Sequence, residues 1–405
     1  MRKVVLLSLD AMFDRDLSVM GPGAFLTEMM RKGAACTQVK TVFPALTYPA
    51  HTTLITGCDP ASHGIGQNMP FQPDIEDELR VWYLDQKHIQ RETLFDAVKN
   101  AGGQCASMLW PVTCRSKSIR WNFPEAHTIR GENQTMKMLK CGAAPWILAM
   151  EVKYGRKRPS TREPHLSDYA ATLTREVIHA NKPDLTAAHL IDLDDMRHHH
   201  GTDSAEAREA MRRLDSRVRD IWETMQVAPG YEEALLVIVS DHGQADVNRT
   251  VNIGDLLAEN GLADCADVQS NGMSAYLYQS GGDYEQALTW LRNHPTQAGV
   301  SHIYSREELD ELHAVKGPVA AVEAVPGVVF SDMLPEAKRE KATHGFGPGH
   351  PAENCLFAVM GKGIREGAAL PSMPMRDVAP TIAELMGVPL PQAEGTSHAK
   401  KMMKT

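Results

Sequence analysis

Apolar segments that run directly into acidic residues constrain the fold of this 405-residue chain more than any other feature. Val4–Leu9 is a short, β-rich run followed by Asp10, and residues 235–240 lead into Asp241 in the same way. Short runs that are apolar throughout are typical of parallel strands buried on both faces. We therefore predict buried parallel strands with an acid at the carboxyl end of each.

A third apolar run and the helical patterns between the runs extend this prediction. Residues 185–193 are predicted to form a strand that ends at Asp194. The clearest helical pattern covers residues 204–226, with Asp203 and Glu206 as its predicted capped start. Strands that alternate with helices indicate an α/β fold with a doubly wound, mostly parallel sheet and helices on both faces.

Ligands of such sheets bind beyond the carboxyl ends of the strands. We therefore expect Asp10, Asp194 and Asp241 to converge at one edge of the sheet. Two further strands are predicted near residues 273–278 and near Ile303, and we expect them to form a separate small unit.

The domain prediction follows from these segments and from the chain length, which suits one large domain with insertions or two domains. We predict a catalytic domain of residues 1–261 and 337–405, interrupted by a small α+β insertion of residues 262–336. The segment after Gly395 is expected to be frayed.

Composition excludes several classes of protein. Lys and Arg number 42 against 51 Asp and Glu, and a net charge of −9 argues against a nucleic-acid partner. No segment approaches the ~18 apolar residues of a membrane span, so no membrane partner is expected. The seven cysteines form no CxxC pattern, which predicts a reducing, cytoplasmic location and no thiolate zinc site. Any metal would be held by imidazole and carboxylate groups. The oligomeric state stays open.

A hydroxyl residue at a predicted helix start is the first chemical signal. Thr47 precedes Pro49, a spacing typical of a helix N-terminus, where Thr47 would act as a plain cap. The alternative is catalytic, because free N–H groups at a helix start suit a phosphate and a hydroxyl beside a metal can attack phosphorus.

Histidines supply the second signal. Asp194 and His198 are spaced as a divalent-metal pair, with a solvated loop as the alternative. His242 follows Asp241 at a predicted strand end, and His344 lies in a glycine-rich loop.

Taken in chain order, these motifs resemble those of the alkaline phosphatase superfamily and, within it, of the type I phosphodiesterase/nucleotide pyrophosphatase family. The resemblance covers most of the chain. The resemblance implies that Thr47 is the nucleophile and that Asn68 holds a phosphoryl oxygen. It also implies two zinc ions, which together can grip the attacking and leaving oxygens. The implied ligands are Asp194, His198 and His344 for one ion and Asp10, Asp241, His242 and the Thr47 oxygen for the other.

The implied function is hydrolysis of phosphodiester or pyrophosphate bonds in small nucleotide-type substrates through a covalent phosphothreonine. Trp82 and Trp110 are candidates for stacking on a base, with core packing as the alternative. Arg197 stands where the family has a small residue, and we assign it as a phosphate contact, with a solvated loop position as the alternative.

Other activities of the superfamily remain to be weighed. A phosphonoacetate hydrolase or a phosphomonoesterase would share the same two-metal site. A sulfatase would need a modified Cys or Ser in a Cys/Ser-x-Pro-x-Arg setting, and a phosphosugar mutase would normally use Ser; residues 47–51 offer neither. A non-catalytic metal- or nucleotide-binding member would usually have lost a ligand or the nucleophile, and this chain retains Thr47 and all six ligands.

Overall fold

A nine-stranded sheet organises the computed structural model of the chain, which describes residues 1–332 and 340–404. The strands in these residues are β1 (Val4–Leu9), β2 (Ala34–Lys40), β3 (Cys105–Met108), β4 (Trp121–Phe123), β5 (Leu185–Leu190), β6 (Leu235–Val239), β7 (Ala245–Asp246), β8 (Arg249–Val251), β9 (Ala266–Ser270), β10 (Ser274–Gln279), β11 (Val300–Tyr304), β12 (Ala320–Ala324), β13 (Val328–Phe330), β14 (Ala342–Thr343), β15 (Asn354–Gly361), β16 (Ala368–Ala369) and β17 (Met373–Pro374).

The same described residues also form sixteen α-helices. They are α1 (Asp14–Met20), α2 (Phe25–Lys32), α3 (Thr47–Thr56), α4 (Pro60–His63), α5 (Leu94–Asn100), α6 (Gln134–Cys141), α7 (Ala144–Tyr154), α8 (His165–Ala180), α9 (Asp192–His200), α10 (Ala205–Val227), α11 (Ile253–Glu259), α12 (Tyr284–Asn293), α13 (Pro295–Ala298), α14 (Arg306–Glu311), α15 (Val378–Met386) and α16 (Ala399–Met402).

The main sheet has the strand order β16-β2-β15-β6-β1-β5-β3-β4, with β17 also paired to β2. The central strand β1 is parallel to both β5 and β6, whereas β15 is antiparallel and separates β6 from β2. Alternate β1 side chains enter two different apolar clusters, which confirms the predicted α/β sheet covered on both faces. This arrangement brings the carboxyl ends of β1, β5 and β6 side by side.

The predicted strand over residues 185–193 is too long. β5 ends at Leu190, and α9 begins at Asp192. Leu193 is fully buried on the helix, which explains why the apolar run continues past the strand. Acidic residues in the first turn, Asp194 among them, favour a helix start through the helix dipole.

The capping prediction for α10 is off by one residue. Ser204 is the N-cap, and its hydroxyl accepts a hydrogen bond from the N–H of Ala207. Asp203 instead lies 3.3 Å from Arg15 in an exposed ion pair.

A second, four-stranded antiparallel sheet has the order β11-β12-β10-β9, and its apolar cluster also includes Phe13, Ala45, Phe346 and Ala352 from segments next to the main sheet. All of its strands lie between residues 266 and 324. The range 262–336 for an insertion stays a prediction, and its far boundary lies outside the described residues. Among the residues that the structure describes, no helix is both long and apolar enough to cross a membrane.

The C-terminal segment is ordered, so the expectation of fraying is wrong. His398 is buried and its Nε2 lies 2.8 Å from Asp377 Oδ2. Met402 in α16 is fully buried as well. These contacts fix the segment against the N-terminal end of α15.

Candidate active site

Two groups of metal-ligating residues meet at the carboxyl edge of the main sheet. Within each group, the ligand atoms lie within 4.8 Å of one another. The imidazole rings of His242 and His344, one from each group, stack with their centroids 3.8 Å apart, so the two groups adjoin. The groups are Asp10, Asp241 and His242, and Asp194, His198 and His344.

The first group consists of Asp10 after β1 and of Asp241 and His242 after β6. Asp241 Oδ1 accepts hydrogen bonds from the N–H groups of Ala11 and His242, at 3.2 Å and 2.9 Å. Asp241 Oδ2 and Asp10 Oδ1 are buried and have no hydrogen-bond partner within the described residues. Burial and the charge of Asp194 raise the pKa of Asp10 to about 6, and burial also raises the pKa of Asp241. A cation bound between these oxygens would stabilise both charges, so the donor set fits a metal.

The histidines of the site present the nitrogen that a metal needs. His344 Nδ1 lies 2.9 Å from the Ala45 carbonyl oxygen, and His242 Nδ1 lies 3.3 Å from that of Gly243. A carbonyl can only accept a hydrogen bond, so Nδ1 of each ring carries the proton and Nε2 keeps its lone pair. Burial lowers the pKa of both histidines, which favours the neutral imidazole that binds zinc.

Asp194 and His198 are four residues apart on α9, where this spacing places both side chains on one face of the helix. Asp194 Oδ2 lies 3.3 Å from His198 Nε2, and Asp194 Oδ1 lies 3.9 Å from His344 Nε2. Burial favours the neutral carboxyl, but the charge and hydrogen bond of His198 prevail and lower the pKa of Asp194. The Gln244 amide also donates to Asp194 Oδ1, which fixes this carboxylate.

Thr47 is the first residue of α3, and Leu46 is its N-cap. The plain capping role considered for Thr47 is therefore wrong. Thr47 Oγ1 lies 3.2 Å from His242 Nε2, beside the first ligand group. Asn68 Oδ1 accepts a hydrogen bond from the N–H of Tyr48 at 3.0 Å, so Asn68 lies next to the same helix start. Pro49 has no N–H and the Ala50 N–H donates to the Leu46 carbonyl oxygen, so the Thr47 N–H is the donor of this turn that can meet a phosphoryl group, beside the Asn68 amide.

An aromatic slot, defined here as Tyr48, Trp82 and His127, adjoins Thr47. The Trp82 ring stacks on His127 with centroids 4.1 Å apart and lies 5.2 Å from the ring of Tyr48. Tyr48 is buried, Trp82 is half-buried and His127 is exposed. The slot thus offers a flat aromatic surface to a group attached to the phosphorus.

Trp110 does not belong to this slot, and the prediction that it contacts substrate is corrected. Its side chain is fully buried, and its ring packs edge-on against His51 at 4.9 Å. An indole that no solvent reaches supports the wall of the site and cannot stack on a base.

Arg197 is likewise a supporting residue, and its predicted contact with a phosphate is corrected. The side chain is fully buried, with Nη2 2.6 Å from Asp16 Oδ1 and Nη1 donating to the Ala11 carbonyl oxygen. Its guanidinium also lies over the Phe13 ring. Arg197 therefore holds the segment that follows Asp10, which explains why a large residue precedes His198.

Replacing Arg197 with methionine should lower the free energy of unfolding by about 3–5 kcal/mol, because Asp16 is left buried without its cationic partner. Arg212→Met is the matched control, since both side chains of its ion pair with Glu209 are exposed and such a pair is worth less than about 1 kcal/mol. Urea unfolding of both variants measures the difference. Equal effects would show that the Arg197 pair contributes no more than a surface pair.

Sequence reasoning missed two buried histidines at the site. His51 and His189 have ligand atoms within 4.8 Å of Asp241, and both side chains are fully buried. His51 Nδ1 lies 2.8 Å from the Thr47 carbonyl oxygen. A histidine inside the apolar run of β5 was the available signal for His189, because the neighbouring run of β1 leads to Asp10.

Comparison with known proteins assigns the family. The family model described as type I phosphodiesterase/nucleotide pyrophosphatase matches residues 4–347. The chain belongs to this family. Its relatives include human ectonucleotide pyrophosphatase/phosphodiesterase family member 5, which is 23% identical over 398 residues, covering 96% of this chain and 75% of that protein. The Xenopus laevis protein named bis(5'-adenosyl)-triphosphatase enpp4 is 23% identical over 316 residues, covering 76% of this chain and 60% of that protein.

Solved structures of the type I phosphodiesterase/nucleotide pyrophosphatase family have the same fold. Human ectonucleotide pyrophosphatase/phosphodiesterase 5 superposes with a TM-score of 0.74 at 19% identity, covering 100% of both chains. The murine protein gives a TM-score of 0.73 at 18% identity over 98% of both chains. The names of the relatives confirm the predicted enzyme class, a hydrolase of phosphodiester or pyrophosphate bonds.

Proposed function

We propose that this chain hydrolyses phosphodiester or pyrophosphate bonds of small nucleotide-type substrates with two zinc ions and a phosphothreonine intermediate. The observation that carries the proposal is the position of Thr47 Oγ1, 3.2 Å from His242 Nε2, at a helix start where the two ligand groups meet. A nucleophile, two sets of ligands and a phosphate-binding helix end are then within reach of one substrate.

Zinc fits the donor set, because each group combines carboxylate oxygen with imidazole nitrogen, and the pKa values of His242 and His344 are lowered toward the neutral, metal-binding form. Asp10, Asp241 and His242 would hold one ion, and the second group would hold the other. Bound zinc would supply positive charge that favours ionisation of the Thr47 hydroxyl and stabilises the leaving oxygen.

The residues of the chain then perform two displacements. Thr47 Oγ1 forms a bond to phosphorus while the bond to the leaving oxygen breaks, which yields a phosphothreonine ester that still carries the second substituent of the phosphorus, here the nucleoside. Water cleaves this ester in the second step and restores the hydroxyl. Asn68 and the amide N–H of Thr47 hold a non-bridging oxygen in both steps, where negative charge develops.

The aromatic slot favours a nucleotide over a simple diester. Trp82 stacks on His127 and contacts the ring of Tyr48, the residue after Thr47, and stacking of a base on an aromatic ring is worth about 1–3 kcal/mol. Among structures with this fold, the murine protein was solved in complex with AMP, and the Xenopus relative is named for a dinucleotide substrate. Both facts support a nucleoside as one substituent on phosphorus.

A substrate panel on the purified, zinc-loaded chain tests the proposal. We expect kcat/KM for a nucleotide p-nitrophenyl ester to exceed that for methyl p-nitrophenyl phosphate by about tenfold, because both release the same leaving group and only the nucleotide ester carries a base that can stack. The panel also contains p-nitrophenyl phosphate and phosphonoacetate. A dominant rate on either would replace the proposal with a phosphomonoesterase or a phosphonoacetate hydrolase, and zinc binding without turnover would indicate a non-catalytic member.

The variant Trp82→Ala tests how much the aromatic slot contributes to the preference for a nucleotide ester. It should lower the rate on the nucleotide ester about tenfold and leave the rate on methyl p-nitrophenyl phosphate unchanged. Trp290→Ala is the matched control, since Trp290 also stacks on a histidine, His294, at 4.6 Å, but on α12 of the second sheet's unit. Equal losses of rate on both substrates would show that the aromatic slot does not determine substrate specificity.

All seven cysteines lie in the described residues and are free and buried. This supports the cytoplasmic, reducing location, which stays a prediction.

A further inference from the structure

His189 is a fully buried side chain in direct contact with the metal-binding group. It lies in β5, where it is the register partner of Ser8 in β1, two residues before Asp10. His189 Nε2 lies 2.8 Å from Asp10 Oδ2, a distance typical of a charge-assisted hydrogen bond. One oxygen of the Asp10 carboxylate is therefore already taken by a protein donor.

The other ring nitrogen of His189 faces acceptors from a different segment. Nδ1 lies 3.3 Å from the Leu109 carbonyl oxygen and 3.6 Å from Glu125 Oε2. Glu125 Oε1 in turn lies 2.8 Å from His127 Nε2 in the aromatic slot. A continuous set of contacts thus connects the slot through Glu125 and His189 to Asp10.

The contacts of His189 divide the two oxygens of Asp10 between two tasks. Oδ2 accepts from His189, whereas Oδ1 is buried without a hydrogen-bond partner in the described chain and lies 3.6 Å from His242 Nε2. A carboxylate with one oxygen fixed loses rotational freedom before any ion arrives. The partners that orient metal ligands in this way typically contribute about 10–100-fold to metal affinity.

We propose that His189 is a positioning residue that fixes Asp10 through Oδ2 and leaves Oδ1 for the ion shared with Asp241 and His242, and that Glu125 holds His189 for this task. The inference rests on the proposed function, since it requires a metal at this group. It assigns a role to two residues outside both ligand groups implied by the family motifs.

Two isosteric variants test which ring nitrogen matters. The amide nitrogen of glutamine reaches the place of histidine Nε2, whereas that of asparagine reaches the place of Nδ1. Each variant is titrated with zinc after removal of metal, with metal content read by mass spectrometry and release followed with a chromogenic chelator. We expect His189→Asn to weaken one of two zinc equivalents about 10–100-fold and His189→Gln to stay within about threefold of wild type.

Activity supplies a second readout. With bis-p-nitrophenyl phosphate, His189→Asn should lose kcat at limiting zinc, recover it when zinc is raised, and keep its KM. Glu125→Gln keeps the shape of the side chain and should weaken the same zinc equivalent by a smaller factor. Circular dichroism and the thermal midpoint show whether each variant folds. If His189→Asn does not fold, the zinc affinity of Glu125→Gln provides the test.

The outcomes separate this inference from the proposed function. Two tight zinc equivalents in His189→Asn, as in wild type, would overturn the positioning role while leaving the proposed function intact. A wild type that binds no zinc would overturn the proposed function itself. A third equivalent in wild type, lost in both His189 variants, would make His189 a ligand together with His51 and Asp241, and would also overturn the positioning role.

Discussion

Replacing Thr47 with alanine should abolish turnover and leave the metal content unchanged. The substitution removes the oxygen that forms the bond to phosphorus together with the γ-methyl group, and the six carboxylate and imidazole ligands stay in place. Loss of a catalytic nucleophile typically lowers kcat by about 10⁴–10⁶-fold. Turnover of the nucleotide p-nitrophenyl ester and zinc content by mass spectrometry are measured on the same sample.

A second threonine of the same helix provides the control. Thr56 is fully buried in the last turn of α3, and its hydroxyl donates to the Thr52 carbonyl oxygen at 2.7 Å. Thr56→Ala should cost about 1 kcal/mol of stability and no activity. A phosphothreonine ester that carries the nucleoside, trapped at residue 47 by acid quenching, would identify the intermediate. Near-normal turnover by Thr47→Ala would contradict the assignment of the nucleophile.

Asp241→Asn should remove one of the two zinc equivalents and lower activity at stoichiometric zinc by at least about 10³-fold. Asp241 is fully buried between Asp10 and His242, and its Oδ2 has no other hydrogen-bond partner among the described residues. Asparagine keeps an oxygen for the N–H groups of Ala11 and His242 but lacks the negative charge that holds a dication.

The matched control for this variant is Asp195→Asn. Asp195 is adjacent to the ligand Asp194 but pairs with His199, outside both groups, so metal content and turnover should stay at the wild-type level. Thermal unfolding of both variants shows whether each one folds. Two zinc equivalents of unchanged affinity in a folded Asp241→Asn would contradict the ligand set.

The sequence predicted the parts of the site that follow from strand geometry. Asp10 and Asp241 were expected together because the parallel strands before them are apolar and end at one edge, and β1 and β6 are indeed neighbours. Asp194 reaches the same edge by another route, from the first turn of α9. The apolar run hid this helix start, since Leu193 is as deeply buried on the helix as it would be in a strand.

The remaining parts depend on contacts between segments that are far apart in the chain. Tryptophan and arginine side chains can bind nucleotides or fill a protein core, and the sequence does not distinguish these roles. Only the packing of Trp110 against His51 and of Arg197 against Asp16 shows that both fill the core. His189 was missed because its contact with Asp10 spans 179 positions in the chain and arises from the register of β1 with β5. Sequence periodicity contains no information about such a register.

The place of β15 in the main sheet has a consequence for synthesis on the ribosome. β2 is completed near residue 40, yet its partners in the described sheet are β15, β16 and β17, which all come after residue 353. In a nascent chain, β2 therefore has no pairing partner until most of the protein has been made. The edge of β6 that pairs with β15 stays open for the same time. Exposed strand edges of this kind are prone to aggregation, and pairing over such separations is slow. We expect the emerging chain to depend on chaperones that cover these edges, and the metal site to form only after His344 has left the exit tunnel.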